Sequence, residues 1–277
     1  MTGKSILITG CSSGIGLDTA RVLRDRGWRV FAACRQTRDC EALRAQGFDS
    51  PRIDYTNPDS IRIGLDSVLL ETDGRLDALF NNGAHALNGA VEDIETDGLR
   101  ELFEANFIGW HDLTRRVIPV MRARGHGHII QCSSVLGRVS MRWRGPYAAT
   151  KHALEALTDA MRIELDGSGI HVVIIQPGPI TTDFRVKGIP YFEKWTKWES
   201  SPHKSMYEMQ MRPRLYALQG NPYPFELPAR AVSDKVVRAL DSTRPYPRYF
   251  VTRATYIAAV LRRFLPDRVI DQVVKRI

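Results

Sequence analysis

Thr9-Gly-Cys-Ser-Ser-Gly-Ile-Gly16 is the stretch whose reading decides the fold of this chain. It follows the apolar run Ser5–Thr9, which has strand length, and it leads into a segment where Gly16, Ala20, Leu23 and Gly27 share one face at helical spacing. A strand, a glycine-rich turn and a helix in that order open a βαβ unit. Glycines at 10, 14 and 16 allow a tight turn in which backbone N–H groups can approach a pyrophosphate. The helix, beginning near Gly14, adds a favourable dipole at its amino end. Gly10, Ser12, Ser13, Gly14, Ile15 and Gly16 are therefore candidate cofactor-binding residues. A plain strand-to-helix turn is the competing reading, and three glycines flanked by two serines argue against it.

Working outward, further strand candidates are Arg29–Ala33, Leu76–Asn81, His128–Cys132 and His171–Gln176, with weaker ones near Arg52–Asp54 and Arg248–Val251. They alternate with helix-period segments, which predicts an α/β fold, a Rossmann-type doubly wound parallel sheet. At 277 residues, with no Gly-, Ser- or Pro-rich break before about Gly188 and no repeat, the chain reads as a single domain over 1–277. No run is long and apolar enough to span a bilayer, and the first strand begins too early to leave room for a signal peptide. Cys11, Cys34, Cys40 and Cys132 lack metal-type spacing and read as free thiols in a reducing compartment, so a cytoplasmic location is expected. The formal net charge of +8 comes from arginines spread along the chain. That is the pattern of a solvated basic surface, and nucleic acid is not expected as a partner.

The second strand supplies the cofactor argument. Dinucleotide folds place an acid near its end to grip a ribose 2′-hydroxyl. Here Arg35 follows Phe31-Ala-Ala-Cys34, and no acid comes until Asp39. A guanidinium pairs with a 2′-phosphate that a carboxylate would repel, which favours NADP (as NADPH) over NAD. An Arg35 that is simply exposed is the alternative.

The chemical groups lie further on. Ser133-Ser134 is followed after twelve residues by Tyr147-Ala-Ala-Thr-Lys151. Pro146 suits a helix's first turn, so Tyr147 and Lys151, four apart, share a face. A phenol with a pKa of about 10 is a poor base at neutral pH, and a nearby ammonium would favour its phenolate. The pair could then exchange a proton in either direction. Ser134, just past a strand at the edge where such sheets bind ligands, could hold a substrate oxygen near Tyr147, with Ser133 as its rival. Asn106 interrupts an apolar helical stripe of Leu99, Leu102, Phe103, Trp110, Leu113 and Val117. A buried amide there is either a structural hydrogen-bonder or a polar group facing the site. The histidines show no ligand spacing, and no metal is assigned.

Thr9-Gly-x-x-x-Gly-x-Gly16, Asn81-Asn82-Gly-Ala, Asn106, Ser134, Tyr147-x-x-x-Lys151 and Pro177-Gly178 together resemble the short-chain dehydrogenase/reductase family over roughly the first 185 residues. Val30-Phe-Ala-Ala-Cys-Arg35 and the basic carboxyl-terminal extension resemble its 17β-hydroxysteroid and retinol dehydrogenase branch. The resemblance implies an oxidoreductase in which Asn106, Ser134, Tyr147 and Lys151 are catalytic, Asn106 through a carbonyl-bound water that links Lys151 to solvent. It implies cofactor contacts from Tyr147 and from Lys151, which would bind the nicotinamide ribose. Asp54 would face the adenine and Asn82 would support the nucleotide ribose region. Ile180 and Thr182, following Pro177 and Gly178, would meet the nicotinamide carboxamide. The family usually has Asn-Asn-Ala-Gly where this chain has Asn-Asn-Gly-Ala, a departure in the local turn.

Two segments extend this pattern. From about 184 to 226, Tyr191, Phe192, Trp195, Trp198, Tyr207, Tyr216, Tyr223 and Phe225 crowd between Pro190, Pro202, Pro213, Pro222 and Pro224. That composition reads as a lid of short helices lining an apolar pocket, or as a surface excursion that its aromatics hold down. About 253–277 forms a basic carboxyl-terminal helical extension with apolar Tyr256, Val260, Phe264, Val269, Ile270, Val273 and Ile277. Closing the pocket or packing on a second subunit is favoured for it over contact with a membrane surface. The expected activity is hydride exchange between NADP(H) and a hydrophobic secondary alcohol or ketone, or a long aldehyde, in a homodimer or homotetramer. The alternatives are a cofactor-sensing regulator that does not turn over and a membrane-surface reductase of lipids or retinoids.

Overall fold

The strands are short, rich in branched and aromatic side chains, and buried on both faces, as parallel strands sandwiched between helices must be. In the computed structural model, which describes residues 3–217 and 224–275, they are β1 (Ser5–Thr9), β2 (Arg29–Ala33), β3 (Ala78–Asn81), β4 (Gly127–Cys132) and β5 (Ile170–Gln176). β6 (Ile180–Thr181) and β7 (Leu227–Pro228) pair separately, and β8 (Arg248–Phe250) completes the main sheet. Its order is β2-β1-β3-β4-β5-β8, parallel throughout. The strands therefore all end along one edge, at Thr9, Ala33, Asn81, Cys132, Gln176 and Phe250. The chain forms a single α/β domain.

The connecting helices are α1 (Gly14–Asp25), α2 (Thr37–Arg44), α3 (Pro58–Glu71), α4 (Thr96–Phe103), α5 (Gly109–Arg124) and α6 (Gly145–Glu164). Four short helices follow, α7 (Phe184–Lys187), α8 (Ile189–Trp195), α9 (Lys204–Met206) and α10 (Arg212–Tyr216). Then come α11 (Arg230–Asp241), α12 (Arg253–Phe264) and α13 (Asp267–Val274). Helix α11 returns to α1, where Thr19 Oγ1 and Ser233 Oγ lie 3.0 Å apart. Ile6, Leu7, Ile8, Leu79, Phe80, Ile129 and Ile130 are fully buried at the centre of the core.

Three expected boundaries move. Arg52–Asp54 is not a strand: Phe31–Asp49 and Cys34–Arg52 make only isolated bridges beside β2. Pro51, lying between them, has no N–H to extend the ladder. Gly27 does not lie on the face of α1, because the helix ends at Asp25. It adopts φ +83° and donates its N–H to Arg24 O at 2.9 Å, a helix-terminating role. The third strand starts at Ala78, two residues later than the apolar run suggests.

The segment 184–226 has its own small core of Phe192, Tyr207, Met211 and Leu215, with Trp143 and Trp198 packed against it. Tyr207 OH donates to buried Asp93 Oδ2 (2.7 Å) and accepts from Ala90 N (2.7 Å), and Ser201 Oγ donates to the same carboxylate oxygen (2.7 Å). Phe192, Trp198 and Tyr207 thus hold the segment down, while Phe184 and Tyr191 turn toward the sheet edge. Tyr223 and Pro222 lie outside the described residues, as do Arg276 and Ile277. Helix α12 packs on the 3-10 turn Val135–Gly137, next to Ser134, and α13 folds back on α12. Their outward face carries exposed Tyr256, Ile257, Val260, Phe264 and Val269, whereas Ile270 is buried. Among the described residues no helix is long and apolar enough to cross a membrane.

Candidate active site

At the nucleotide end, the turn after β1 is as tight as its glycines suggest. Gly10 has φ +69°, and a Cβ there would lie 2.6 Å from Gly83 Cα. A Cβ on Gly16 would overlap Gly10 O. Bare backbone is required at both points, which leaves a cradle that side chains would fill. Thr9 Oγ1 accepts from Asn82 N (2.9 Å) and Gly83 N (3.2 Å), and Asn82 Nδ2 donates to Thr9 O (3.0 Å). Asn82 therefore braces the turn from the end of β3. At the Gly83 departure, a Cβ would lie 3.2 Å from Gly10 N, a tight fit, and in ordinary contact with the Tyr55 ring at 3.4 Å. The Tyr55 hydroxyl is buried, donates to Asn81 Oδ1 (2.6 Å) and lies 2.8 Å from Thr9 Oγ1. Burial lifts its pKa well above the usual phenol range.

Helix α1 has no acid in its first turn, and Ser13 at its start makes no side-chain cap. Its leading N–H groups, with Ser12 and Ile15, suit an anion. Arg35 stands at the end of β2, donating from Nη1 to Tyr191 OH at 2.6 Å. Asp54 Oδ1 accepts from Thr56 N (3.0 Å) and Thr56 Oγ1 (2.8 Å), and its charge reaches Arg35. A Cβ on Gly14 would lie 2.9 Å from the Thr182 methyl, so the stretch after Pro177-Gly178 and Ile180 crosses back over the turn. Pro177 O accepts from Val135 N (2.7 Å), and Gly178 sits tightly against Thr252. These groups fit a dinucleotide.

The end of β4 and the start of α6 bring Ser134, Tyr147 and Lys151 together. Ser134 Oγ accepts from Leu136 N at 3.1 Å, and its side chain hydrogen-bonds Tyr147. Ser133 Oγ is buried without a partner among the described residues. Only Ser134 meets the tyrosine. Burial pushes the Tyr147 hydroxyl above its ordinary pKa, Cys132 adds to this, and the Ser134 hydrogen bond and Arg144 oppose it. Lys151 is 1% exposed, donates from Nζ to Cys132 O (2.8 Å) and stands 4.2 Å over the Trp110 ring. Its Nζ is 5.6 Å from the centre of the Tyr147 ring. Burial lowers its pKa to about 8, offset partly by Cys132 and Glu155. Burial is thus the largest influence on the Tyr147 hydroxyl in this arrangement, and it disfavours the phenolate.

Asn106 is fully buried in a π-helical turn, Glu104–Ile108, between α4 and α5. Its Oδ1 accepts from His85 N (3.0 Å) and its Nδ2 donates to His85 O (2.9 Å). The side chain is spent on that backbone clamp, so any relay through this residue belongs to its main chain, where a π turn displaces the regular hydrogen bonding. The His85 ring stacks on Tyr191 at 3.6 Å and 14° between planes, and burial with nearby Arg35 lowers its pKa to about 4. Phe184 meets the Tyr147 ring edgewise at 5.5 Å. Tyr55 and His85 carry no signal of a site in the sequence, Trp110 reads there only as part of the apolar stripe, and Tyr191 only as one of the lid aromatics. Trp110 at least sits four residues from Asn106 on the same stripe, and it donates to Gly83 O at 2.8 Å. The His85–Tyr191 contact spans 106 positions and left no local signal.

Comparison with known proteins is consistent across the chain. The sequence profile described as short chain dehydrogenase matches residues 4–189. The uncharacterized oxidoreductase YbbO of Escherichia coli strain K12 is 40% identical over 272 residues, 98% of this chain and 94% of that protein. The NADPH-dependent 3-dehydrocapnine reductase of Ornithobacterium rhinotracheale is 27% identical, covering 96% and 94% of the two chains. A crystal structure of a short-chain dehydrogenase from Streptomyces avermitilis matches with a TM-score of 0.77 at 26% identity, over 99% of this chain and 96% of the other.

Proposed function

The chain belongs to the short-chain dehydrogenase/reductase family of oxidoreductases, and from that premise we propose that it is an NADP(H)-dependent carbonyl reductase and alcohol dehydrogenase. Its substrate is a hydrophobic ketone or secondary alcohol, or a long aldehyde. The observation that carries this reading is the buried Tyr147 hydroxyl hydrogen-bonded to Ser134, with Lys151 one helical turn away. When bound, the nicotinamide supplies or accepts the hydride. Ser134 orients the substrate oxygen. Tyr147, held protonated by burial, donates its proton to that oxygen in reduction; in oxidation it first releases that proton toward Lys151 and then accepts the one from the substrate hydroxyl.

Lys151, with a pKa near 8, can restore the proton to Tyr147, and it holds its place through Cys132 O and the Trp110 face. Asn106 keeps the loop after β3 in register. Gly10, Ser12, Ser13, Gly14, Ile15 and Gly16 take the pyrophosphate, Asn82 and Asp54 flank the nucleoside, and Ile180 and Thr182 reach the carboxamide. Arg35 at the end of β2, together with a relative named as NADPH-dependent, favours NADP over NAD.

The segment 184–226 serves as a lid, with Phe184 against Tyr147 giving the pocket an apolar wall. Four buried free thiols support a cytoplasmic location, and a homodimer or homotetramer is the proposed assembly. A panel of alcohols and carbonyls, followed by nicotinamide absorbance with both cofactors, tests the reading. Turnover of hydrophobic carbonyls with preference for NADPH supports it, and binding without turnover of any member would favour a sensing role.

A further inference from the structure

Lys187 ends helix α7 in the lid, 174 residues from the turn that it touches. Its Nζ donates to Ser13 Oγ at 2.6 Å and to Ser12 Oγ at 3.2 Å. No carboxylate lies within ion-pairing distance of it among the described residues. The ammonium instead rests on two neutral hydroxyls at the amino end of α1, the positive end of that helix, where no first-turn acid compensates. A cation there is opposed by the helix dipole unless an anion shares the place.

The neighbouring contacts show that this is not a stray surface lysine. Thr182 lies on Gly14, Gly188 lies on Ala86, and Tyr191 joins Arg35 to the His85 ring. The chain from 182 to 191 thus meets the nucleotide turn through Thr182 and Lys187, the end of β2 through Tyr191, and the loop after β3 through Gly188 and Tyr191. The charge of Lys187 also reaches Cys34, one residue before Arg35, so both cations stand near the end of β2.

We propose that Lys187 is a phosphate ligand of the dinucleotide, contributed by the lid, and that Ser12 and Ser13 share that phosphate with it. This rests on the dinucleotide-dependent reading above. Two phosphates could occupy the place, the pyrophosphate common to both cofactors and the 2′-phosphate found only in NADPH. Binding of either anchors α7, so cofactor association and lid closure are one event, and substrate enters a site whose wall the cofactor has already set.

The test is a tryptophan-fluorescence titration of the full chain with NADPH and with NADH, for the wild type, Lys187→Ala and Lys187→Arg. Loss of a charge-assisted contact should weaken binding roughly ten- to a hundredfold in Lys187→Ala, with Lys187→Arg largely restoring it. Equal weakening for both cofactors assigns the pyrophosphate, and weakening for NADPH alone assigns the 2′-phosphate. The dissociation constant of Lys187→Ala should also depend less steeply on salt, a change that a merely structural role would not produce. Equal affinities and salt slopes in wild type and Lys187→Ala, with the wild type binding normally, overturn the proposal. Failure of the wild type to bind either cofactor instead overturns the dinucleotide reading on which it rests.

Discussion

Replacing Asn106 by alanine separates two roles that a buried amide could have in this site. The side chain makes two hydrogen bonds, from His85 N at 3.0 Å and to His85 O at 2.9 Å, and it is fully buried. Alanine would leave a buried N–H and a buried C=O unpaired at ~1–3 kcal/mol each, so Asn106→Ala should lose about 2–6 kcal/mol of stability. Domains of this kind have about 5–15 kcal/mol in total, so the loss is large. Urea unfolding followed by tryptophan fluorescence should show a lower midpoint at unchanged slope. Asn106→Asp refines the test. It can still accept from His85 N, but its carboxylate faces His85 O. Its deficit relative to wild type should shrink as pH falls and the protonated acid regains a donor. A stability change below about 1 kcal/mol together with lost turnover would refute the clamp, because neither buried group would then be paying the desolvation cost expected of it.

Three further outcomes follow from the same geometry. Tyr147→Phe should bind NADPH like the wild type but lose at least ~100-fold in turnover, the usual range for removing an acid–base group, and substantial retained activity would remove Tyr147 from the chemistry. Arg35→Asp should raise the Michaelis constant for NADPH far more than for NADH, and unchanged discrimination would leave Arg35 with only its bond to Tyr191. Burial under the stacked Tyr191 ring lowers the folded pKa of His85 from 6.5 to about 4, with Glu101 opposing the shift and Arg35 adding to it. In that window the unfolded chain holds the proton and the folded chain does not. Stability should therefore fall by roughly 3 kcal/mol as pH drops from 6.5 toward 4. His85→Phe keeps the ring stack, so urea unfolding at near-neutral and acid pH should show a smaller acid loss in that variant, and an equal loss would refute the assignment.

Much of the fold was legible because its signals are local. A short apolar strand, a glycine-rich turn and a helix face are each written within a dozen residues, and β1, β2 and α1 begin where the pattern places them. The weak strand at Arg52–Asp54 failed because strand formation needs a continuous ladder, and Pro51 interrupts it. Gly27 failed for a related reason: spacing assigns a residue to a helix face only while the helix lasts.

By itself the sequence determined the nucleotide turn, the Ser134–Tyr147–Lys151 set and the cation at the end of β2, since residue type and spacing alone dictate those. The surroundings of the pair were decided only by the tertiary structure. Spacing put a lysine near a phenol, but only the fold buries both, bonds Lys151 Nζ to Cys132 O beside the Trp110 ring, and pushes the Tyr147 hydroxyl above its ordinary pKa through burial. The tertiary structure also decided that Asn106 clamps His85, that Tyr191 bridges His85 to Arg35, and that Lys187 reaches Ser12 and Ser13. Such contacts join positions about 20 to more than 170 residues apart, and no local propensity encodes them. They arise because a parallel sheet gathers the ends of its strands along one edge, where loops distant in sequence must pack against each other.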